Sequence, residues 1–322
     1  MTYNVVSSYG RGNEQALDTM KSIEMLDLSG EDQVVFDFNQ FGENTPFNVL
    51  TIASYLKKYR VRHPKCSFSL IPKESSDFLS HLGFYQMIGA KVGKAVGEAQ
   101  ASSNYVPIKE IQFDVDFYRT IEVRAQELAK LLSFDKSLEE FLVYAFVEAI
   151  RNVYEHSGAT SAYVCAQKWP TKNLVEIAIA DTGKGIAKAL ETRFPQKTEK
   201  EFLYLYMQPG ISAGSNFRYL DKDDPWRNSG FGLYMMQKLT LLYGGSFLLC
   251  SGKHAIWVMQ DGIREYETSF PGTAIAIKFR TDTGNDFNKL RSTAISEGQT
   301  EAQLKPEAIK KASKSSGGHY YG

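Results

Sequence analysis

The N-terminal part of the chain alternates between helical and strand-like patterns of apolar positions. Apolar residues recur at helical spacing over 14–28 and 47–59, and two short apolar runs, 34–38 and 66–71, predict buried strands. A further helix is predicted over 75–89, where Ser and Asp are candidate caps and a glycine closes the segment. This alternation of helix and strand predicts a small α/β layer domain.

A longer amphipathic helix begins the second domain. Its apolar stripe consists of Leu138, Phe141, Leu142, Ala145, Ala149 and Val153. The segment SLEE at 137–140 is a candidate capping box at the start of this helix. The pattern therefore predicts one long helix that buries a single face.

Strands and one long interruption follow this helix. SAYVCAQ and LVEIAIAD predict two strands, and SFLLCS, AIWVMQ and TAIAIKF predict three more after a helix near 231–243. The stretch 187–229 between the two groups shows no period and is predicted to be irregular.

Local composition divides the chain into three parts. Small polar residues from 90 to 107 predict a linker, and the polar, Lys/Ser/Gly-rich end of the chain predicts a flexible tail. We therefore expect an α/β domain with its linker over 1–107, a second domain over 108–283 and the tail over 284–322.

The overall composition limits the function classes. The 322 residues are 43% apolar and 23% charged, which excludes a mostly disordered chain and predicts about two domains. Lys plus Arg and Asp plus Glu both total 37, so no overall charge favours nucleic acid or an anionic membrane. The three cysteines are far apart, which argues against a disulfide framework or a zinc site. Because no apolar run reaches about 18 residues and no signal-peptide pattern begins the chain, we expect a cytoplasmic protein.

Candidate chemistry lies on four segments of the second domain. Glu148, Asn152 and His156 follow one another at i, i+4 and i+8 on the long helix, offset from its apolar stripe. Asp181 ends the strand LVEIAIAD and begins DTGKGI, whose glycines allow a close backbone approach to a ligand.

The other two segments are also rich in glycine. SGFGL at 229–233 opens a helix, where backbone N–H groups suit a phosphate, and Gly272 and Thr273 begin a strand. Each of the four segments alone is typical of a turn, a cap or a solvated helix face. Their order and spacing together favour one phosphate-binding site.

Together the four segments resemble the GHKL ATPases, the superfamily of gyrase, Hsp90, histidine kinases and MutL, to which the anti-sigma-factor serine kinases are related. EAIRNVYEH is similar to the N box, DTGKGI to the G1 box, SGFGL to the G2 box and PGT to the final G3-type element. The resemblance covers about 125–280. It implies a Bergerat α/β sandwich, in which helices cover one face of a mixed sheet, and it implies ATP and Mg²⁺ as ligands.

The resemblance implies roles for the residues at the adenine end of such a site. Asp181 is expected to accept a hydrogen bond from the adenine amino group, and Thr273 to lie near the base. Gly183 and Gly185 are expected to let the chain pass close to the nucleotide.

At the phosphate end, the resemblance implies Asn152 as the Mg²⁺ ligand and Glu148 as the general base. Gly230 and Gly232 are expected to cradle phosphates, and the irregular stretch before them corresponds to the ATP lid. His156 has two open interpretations: contact with phosphate or the metal shell, or packing near the helix end.

The N-terminal domain resembles the STAS and STAS-like domains of anti-sigma antagonists. The similarity rests on VVFDF, the helix after Pro46, the strand CSFSLIP and the helix ending in LGFYQMIG. Such domains carry a phosphorylatable Ser or Thr at a helix start, and only Thr45 stands there; a turn or N-cap role is its simpler interpretation. We expect this domain to sense or bind a protein partner, with a homodimer as an alternative.

Three functions stay open from the sequence. The first is a Mg²⁺-dependent ATPase that acts as a conformational switch, and the second is a serine/threonine protein kinase of the anti-sigma-factor type. The third is a non-catalytic, ATP-sensing interaction module. Glu148 favours the first two, because a purely structural pocket needs no base at that position. Hydrolysis and phosphotransfer use the same residues, so the sequence does not separate them.

Overall fold

A small parallel sheet organises the N-terminal residues of the computed structural model. Strands β1 (Thr2–Asn4), β2 (Gln33–Asp37) and β3 (Ser67–Ile71) pair in that order. Helix α1 (Glu14–Glu24) connects β1 to β2, and α2 (Pro46–Arg62) connects β2 to β3. The helices predicted over 14–28 and 47–59 and the strands predicted over 34–38 and 66–71 are confirmed, and β1 is added because its pattern is too short to detect. The structure describes residues 1–5, 12–42, 45–73, 77–90, 92, 104–133, 135–212, 230–309 and 311–312.

The single helix predicted over 75–89 is wrong. Two short helices, α3 (Asp77–His81) and α4 (Phe84–Met87), replace it, with Gly83 between them at a φ of 81°. Because this left-handed backbone cannot continue a helix, the glycine divides the segment. The resemblance to STAS domains stays a prediction.

Thr45 is held inside the N-terminal unit as a helix cap. Its Oγ1 accepts a hydrogen bond from the backbone N–H of Asn48 at 3.2 Å and donates one to Asn13 Oδ1 at 2.7 Å. The side chain is buried. The N-cap interpretation is therefore confirmed, and the hydroxyl is engaged within the fold.

A five-stranded sheet forms the centre of the molecule. Its order is β4 (Tyr105–Gln112), β5 (Ser161–Trp169), β6 (Leu174–Asp181), β8 (Gly262–Arg280) and β7 (Ser246–Met259). The expected α/β sandwich is confirmed. The mixed sheet is not, because every pairing among these strands is antiparallel. Short connections, which only antiparallel neighbours allow, join β5 to β6 and β7 to β8. SFLLCS and AIWVMQ, predicted as two strands, are continuous in β7.

Strand β4 crosses the predicted domain boundary between residues 107 and 108. Pro107 stands inside this edge strand, where the pairing with β5 shifts between Val106 and Lys109. Proline lacks an N–H donor, and an irregularity at a sheet edge accommodates it. Residues 93–103 of the predicted linker lie outside the described residues.

Helices α5 (Phe117–Leu132), α6 (Lys136–His156) and α9 (Gly232–Leu242) cover one face of the sheet, which we call the front face. The predicted apolar stripe of α6 is buried there. The predicted capping box is wrong, because the cap is Asp135, whose side chain accepts from the backbone N–H of Leu138 at 2.9 Å. A carboxylate one residue before the helix suits its positive end.

The N-terminal unit covers the opposite, back face of the sheet. Along β6, Ile177 and Ile179 pack with the front helices, whereas Ala178 and Ala180 pack with the N-terminal residues. Alanines also stand opposite them on β8. Since these side chains are small, α1 and α2 can approach the sheet closely, and the sheet is buried on both faces.

A buried carboxylate links the two layers. Glu176 Oε1, on the back of β6, accepts from the backbone N–H of Phe47 in the first turn of α2 at 3.2 Å, and Lys278 Nζ lies 3.7 Å from Oε2. Burial raises the pKa of Glu176, although Lys278 and the N–H group act in the opposite direction. Lys57 Nζ adds a second link by donating to the Tyr163 hydroxyl at 2.7 Å.

A packed helix replaces the first part of the flexible tail predicted over 284–322. Helix α10 (Phe287–Gln303) packs against α6 and α9. Its buried residues are Phe287, Ala294, Gly298 and Ala302. The sequence pattern missed this helix because three of these residues are small and carry little hydrophobic signal. Within the described chain, neither this helix nor any other is long and apolar enough to cross a membrane.

Thiol labelling tests whether the N-terminal unit covers the back face in solution. Cys165 and Cys250 are fully buried in that interface, and burial raises the pKa of both thiols, whereas Cys66 is partly exposed. We expect one fast-reacting thiol in the native protein and none in Cys66→Ser. The denatured protein, in which all three thiols react, is the control. A second fast thiol in the native protein would show that the two layers separate.

Candidate functional site

A cleft opens on the front face where β6 ends beside the C-terminal half of α6. Its main compartment extends to α7 (Gly185–Leu190), and a second, smaller compartment continues it toward Gly230 and Gly232. The residues shared by both compartments are Asn152, His156, Tyr206 and Leu233. The cleft therefore suits an elongated ligand with two different ends.

The structure brings the predicted site residues to this cleft. Asp181, Gly185 and Thr273 line the main compartment, and Gly230 and Gly232 line the small one. Asn152 stands at their junction, Glu148 lies behind Gly232, and Gly183 lies in the turn that follows β6. The part of the predicted lid over 213–229 lies outside the described residues.

Asp181 is the buried acid of the main compartment. It ends β6 on the same side as Ile177 and Ile179, opposite Thr273 of β8. Its Oδ1 accepts from the backbone N–H of Gly183 at 2.7 Å, and among the described residues no donor forms a hydrogen bond with Oδ2. Burial raises the pKa of Asp181 to about 7, although the backbone N–H groups of Gly183 and Thr273 act against this. A ligand N–H group can satisfy the second oxygen.

The turn after Asp181 packs tightly against the end of α6. The backbone N–H of Lys184 donates to the carbonyl of Ser157 at 2.9 Å. A Cβ on Gly183 would lie 2.3 Å from that same carbonyl oxygen, so a side chain does not fit there. The glycine thus fixes the turn at the mouth of the main compartment.

A second buried carboxylate lies against the small compartment. Glu148 is fully buried on α6, and its Oε2 lies 2.3 Å from where a Cβ on Gly232 would be, so any side chain there would displace the carboxylate. Arg151, itself buried, places Nη2 3.3 Å from Glu148 Oε2 and Nε 3.3 Å from Glu155 Oε1. This guanidinium compensates the negative charge that the fold buries.

His156 forms part of the wall of both compartments. Its ring lies edge-on to Tyr206, with 6.4 Å between the ring centroids. Burial lowers the pKa of His156 to about 4, and the positive charges of Arg151 and Lys184 lower it further. The imidazole is therefore neutral near pH 7 and can contribute hydrogen bonds, but no positive charge, to a ligand.

Sequence reasoning missed part of the cleft wall. Tyr206 ends α8 (Glu199–Tyr206), a helix inside the stretch 187–229 that was predicted to be irregular. A signal was present, because Thr198 and Glu201 form a capping box at its start. Arg151 was also missed, although it stands three residues after Glu148 and so shares its helix face.

A metal ion would find few protein ligands here. No cluster of three or more His, Cys, Asp or Glu residues suited to an ion exists in the described part of the chain. Asn152 offers one side-chain oxygen at the junction of the compartments. This donor set fits Mg²⁺, which usually completes its coordination with water and with oxygens of a bound phosphate compound.

The cleft lies entirely within a span that matches a known protein family. Residues 137–283 match the family model described as histidine kinase-, DNA gyrase B-, and HSP90-like ATPase. The matched span leaves out the N-terminal unit, β4, α5 and α10. No curated protein and no solved structure matches the chain. The family match confirms the resemblance inferred from the sequence motifs, and the roles of single residues stay predictions.

The pH dependence of stability tests the environment of Asp181. In the folded protein the carboxyl keeps its proton up to about pH 7, whereas the unfolded chain releases it near the ordinary value of 3.8. Between these values the folded state binds more protons, so the free energy of unfolding falls as pH rises, by up to about 1.4 kcal/mol per unit. Asp181→Asn should remove this fall. Urea denaturation of both proteins at about pH 5 and pH 7.5 measures the free energy of unfolding. If the difference in this free energy between wild type and variant is the same at both pH values, Asp181 is not a buried acid with a raised pKa.

Proposed function

Residues 137–283 form an ATP-binding domain of the GHKL superfamily, and we propose that the protein is a Mg²⁺-dependent ATPase that acts as a conformational switch. The observation that carries the proposal is the fully buried carboxylate of Glu148, which lies against Gly232 beside Asn152. Burying a charged group is costly unless it is compensated, and a pocket that only binds its ligand gains nothing from an acid at this place. A general base for hydrolysis does require one.

The main compartment suits adenine. Ile179, Ile186 and Leu233 offer apolar surface to the faces of the base. Asp181 would accept a hydrogen bond from the exocyclic amino group through Oδ2, the oxygen for which the described fold supplies no donor. This pairing would set the preference for adenine over bases that present a carbonyl oxygen at the same position.

The small compartment suits the phosphates and their metal ion. Gly230 and Gly232 stand at the start of α9, where backbone N–H groups favour anions. Asn152 would hold Mg²⁺ through its side-chain oxygen. When bound, the ion would neutralise part of the negative charge that the phosphates carry.

Glu148 would take the proton from the attacking water. Its position on α6 is fixed by burial and by the ion pair with Arg151, so the carboxylate needs no reorganisation when the proton moves. The neutral imidazole of His156 would contribute hydrogen bonds to the same compartment without adding charge.

The switch would act through β6. This strand carries Asp181 on the front face and Glu176 on the back, where Glu176 contacts the first turn of α2. A displacement at the end of β6 on nucleotide binding would thus reach the N-terminal unit, which we propose as the part that binds a protein partner.

The alternatives to the ATPase are a protein kinase of the anti-sigma-factor type and a non-catalytic sensor. One labelling experiment separates the three functions. The protein is incubated with γ-labelled ATP and Mg²⁺, alone and with cell extract. Free labelled phosphate supports the ATPase, and label on a Ser or Thr of a protein supports the kinase. Nucleotide binding without either product supports the sensor.

Glu148→Gln and Asn152→Ala should fail in different ways. The glutamine keeps the shape of Glu148 but cannot accept the proton, so we expect Mg-ATP affinity close to wild type and turnover slower by roughly 10²–10⁴-fold. Asn152→Ala removes the metal ligand, so Mg²⁺ should no longer increase ATP affinity. Calorimetry with and without Mg²⁺, beside phosphate release, measures both effects.

Glu155→Gln is the matched control for Glu148→Gln. It removes a negative charge from the same guanidinium, at the same distance of 3.3 Å, but Glu155 does not lie against Gly232 of the small compartment, as Glu148 does. Turnover close to wild type is expected for this control. If Glu148→Gln also hydrolyses ATP at the wild-type rate, the assignment of Glu148 as the base is wrong.

Replacing Asp181 by Asn should change which base the site prefers, from adenine toward hypoxanthine. Above its pKa of about 7 the Asp181 carboxylate accepts a charge-assisted hydrogen bond from the adenine amino group. Asp181→Asn loses this bond, which at such a pH costs roughly 1.5–3 kcal/mol, or about tenfold to a hundredfold in ATP affinity. Inosine triphosphate presents a carbonyl oxygen at that position, to which the amide of the variant can donate. We therefore expect wild type to prefer ATP and the variant to lose or reverse that preference in competition binding. An unchanged preference would place Asp181 away from the base.

A further inference from the structure

The chain beyond α10 returns to the small compartment of the cleft. The backbone N–H of Ile309 donates to the carbonyl of Gly210 at 2.8 Å, and the N–H of Gly210 donates to the carbonyl of Gly230 at 3.1 Å. Ile211 and Ser212, which follow Gly210, line the small compartment and are each 1% exposed. The C-terminal segment therefore lies directly behind one wall of the site.

Two glycines allow these backbones to lie in contact. A Cβ on Gly210 would lie 2.3 Å from the carbonyl oxygen of Ile309, and a Cβ on Gly230 would lie 2.5 Å from the carbonyl group of Ile211. Both glycines also have positive φ angles, 79° and 70°. Any side chain at either place would push the stretches apart, so the C-terminal segment and the wall form one packed unit.

Arg193 joins the same two stretches from the outside. Its Nη1 donates to the carbonyl of Ser212 at 2.6 Å, and its Nη2 donates to the carbonyl of Glu307 at 2.6 Å. A planar guanidinium can serve two carbonyl groups at once, whereas a lysine ammonium is a single point of charge. Arg193 thus holds the wall at Ser212 to the C-terminal segment.

We propose that Arg193 and the C-terminal segment 304–309 are positioning elements of the nucleotide site. They fix the wall formed by Ile211 and Ser212, beside which the phosphates of ATP would lie. The inference rests on the proposed ATP binding and deepens it. It concerns a segment outside the span of the family match, which ends at residue 283.

The position of this wall predicts different effects on the binding of adenosine and of ATP. Adenosine would occupy only the main compartment around Asp181, which Arg193 and segment 304–309 do not line. ATP would occupy both compartments. A loosened wall should therefore weaken ATP binding and leave adenosine binding unchanged, whereas a general loss of structure would weaken both.

Substitutions at Arg193 test the proposal in the full chain. We expect Arg193→Ala to weaken Mg-ATP binding about tenfold, by loss of hydrogen bonds from a charged donor, with adenosine affinity at the wild-type level. Arg193→Lys should lose nearly as much, because it cannot bridge two carbonyl groups. Recovery of ATP affinity with lysine would show that Arg193 acts by its charge on the phosphates. Lys238→Ala, which removes the 2.7 Å ion pair between α9 and Glu297 of α10, is the control and should change neither affinity.

A second variant reaches the same contact from the other side. Ile309→Pro removes the N–H that donates to Gly210, so it should reproduce the selective loss of ATP affinity. The double variant should lose little more than either single variant, because both release the same segment. Equal losses for ATP and adenosine, or none for either, would overturn the proposal. If the wild-type protein binds neither ligand, the proposed function itself fails.

Discussion

The molecule depends on the antiparallel pairing of β6 with the second half of β8, a pair that is covered on both faces of the sheet. Because side chains alternate along a strand, this pair carries acids to opposite sides. Asp181, opposite Thr273, faces the cleft, and Glu176, opposite Lys278, faces the N-terminal unit. A register shift of one residue would exchange the two faces of either strand. One set of backbone hydrogen bonds therefore determines both the ligand site and the contact between the layers.

Three buried acids are accommodated by different means. Glu148 has the guanidinium of Arg151, and Glu176 has Lys278 and the start of α2. Asp181 has backbone N–H groups, and its pKa rises to about 7. An uncompensated buried ion costs several kcal/mol. Glu148 and Glu176 avoid this cost because a cation lies beside them, and Asp181 avoids it because it holds its proton. Of the three acids, Asp181 is thus the one whose protonation a hydrogen-bond donor of a bound ligand can change most.

The sequence identified the cleft but not the layer behind it. The acids and glycines of the four motifs carry strong positional signals, since few residue types can occupy such turns and ends, and α6 has a long regular period. The runs LVEIAIAD and TAIAIKF indicate strands buried on both sides, yet a buried run does not state what covers each face. In both runs isoleucines face the front helices and alanines face the N-terminal unit, whose helices lie closer to the sheet. This meaning of the Ile/Ala alternation is recognisable only once the second layer is known. Helix α10 escaped notice because, beyond Phe287 at its start, its buried residues are the small Ala294, Gly298 and Ala302.

The hairpin of β7 and β8 has a consequence for the order of folding. Its outer part contacts α1, where the Tyr266 hydroxyl donates to Glu14 at 2.6 Å and Thr268 Oγ1 to the Leu17 carbonyl at 3.0 Å, across 252 and 251 residues of chain. At a synthesis rate of about 5–20 residues per second, α1 leaves the ribosome roughly 10–50 seconds before these partners do. During that time the alanine-covered face of the sheet, on which α1 and α2 come to lie, is incomplete, because β8 supplies half of its alanines. The first helices of the chain are therefore among the last to reach their final packing, and the nascent N-terminal unit is the part that most needs protection from aggregation.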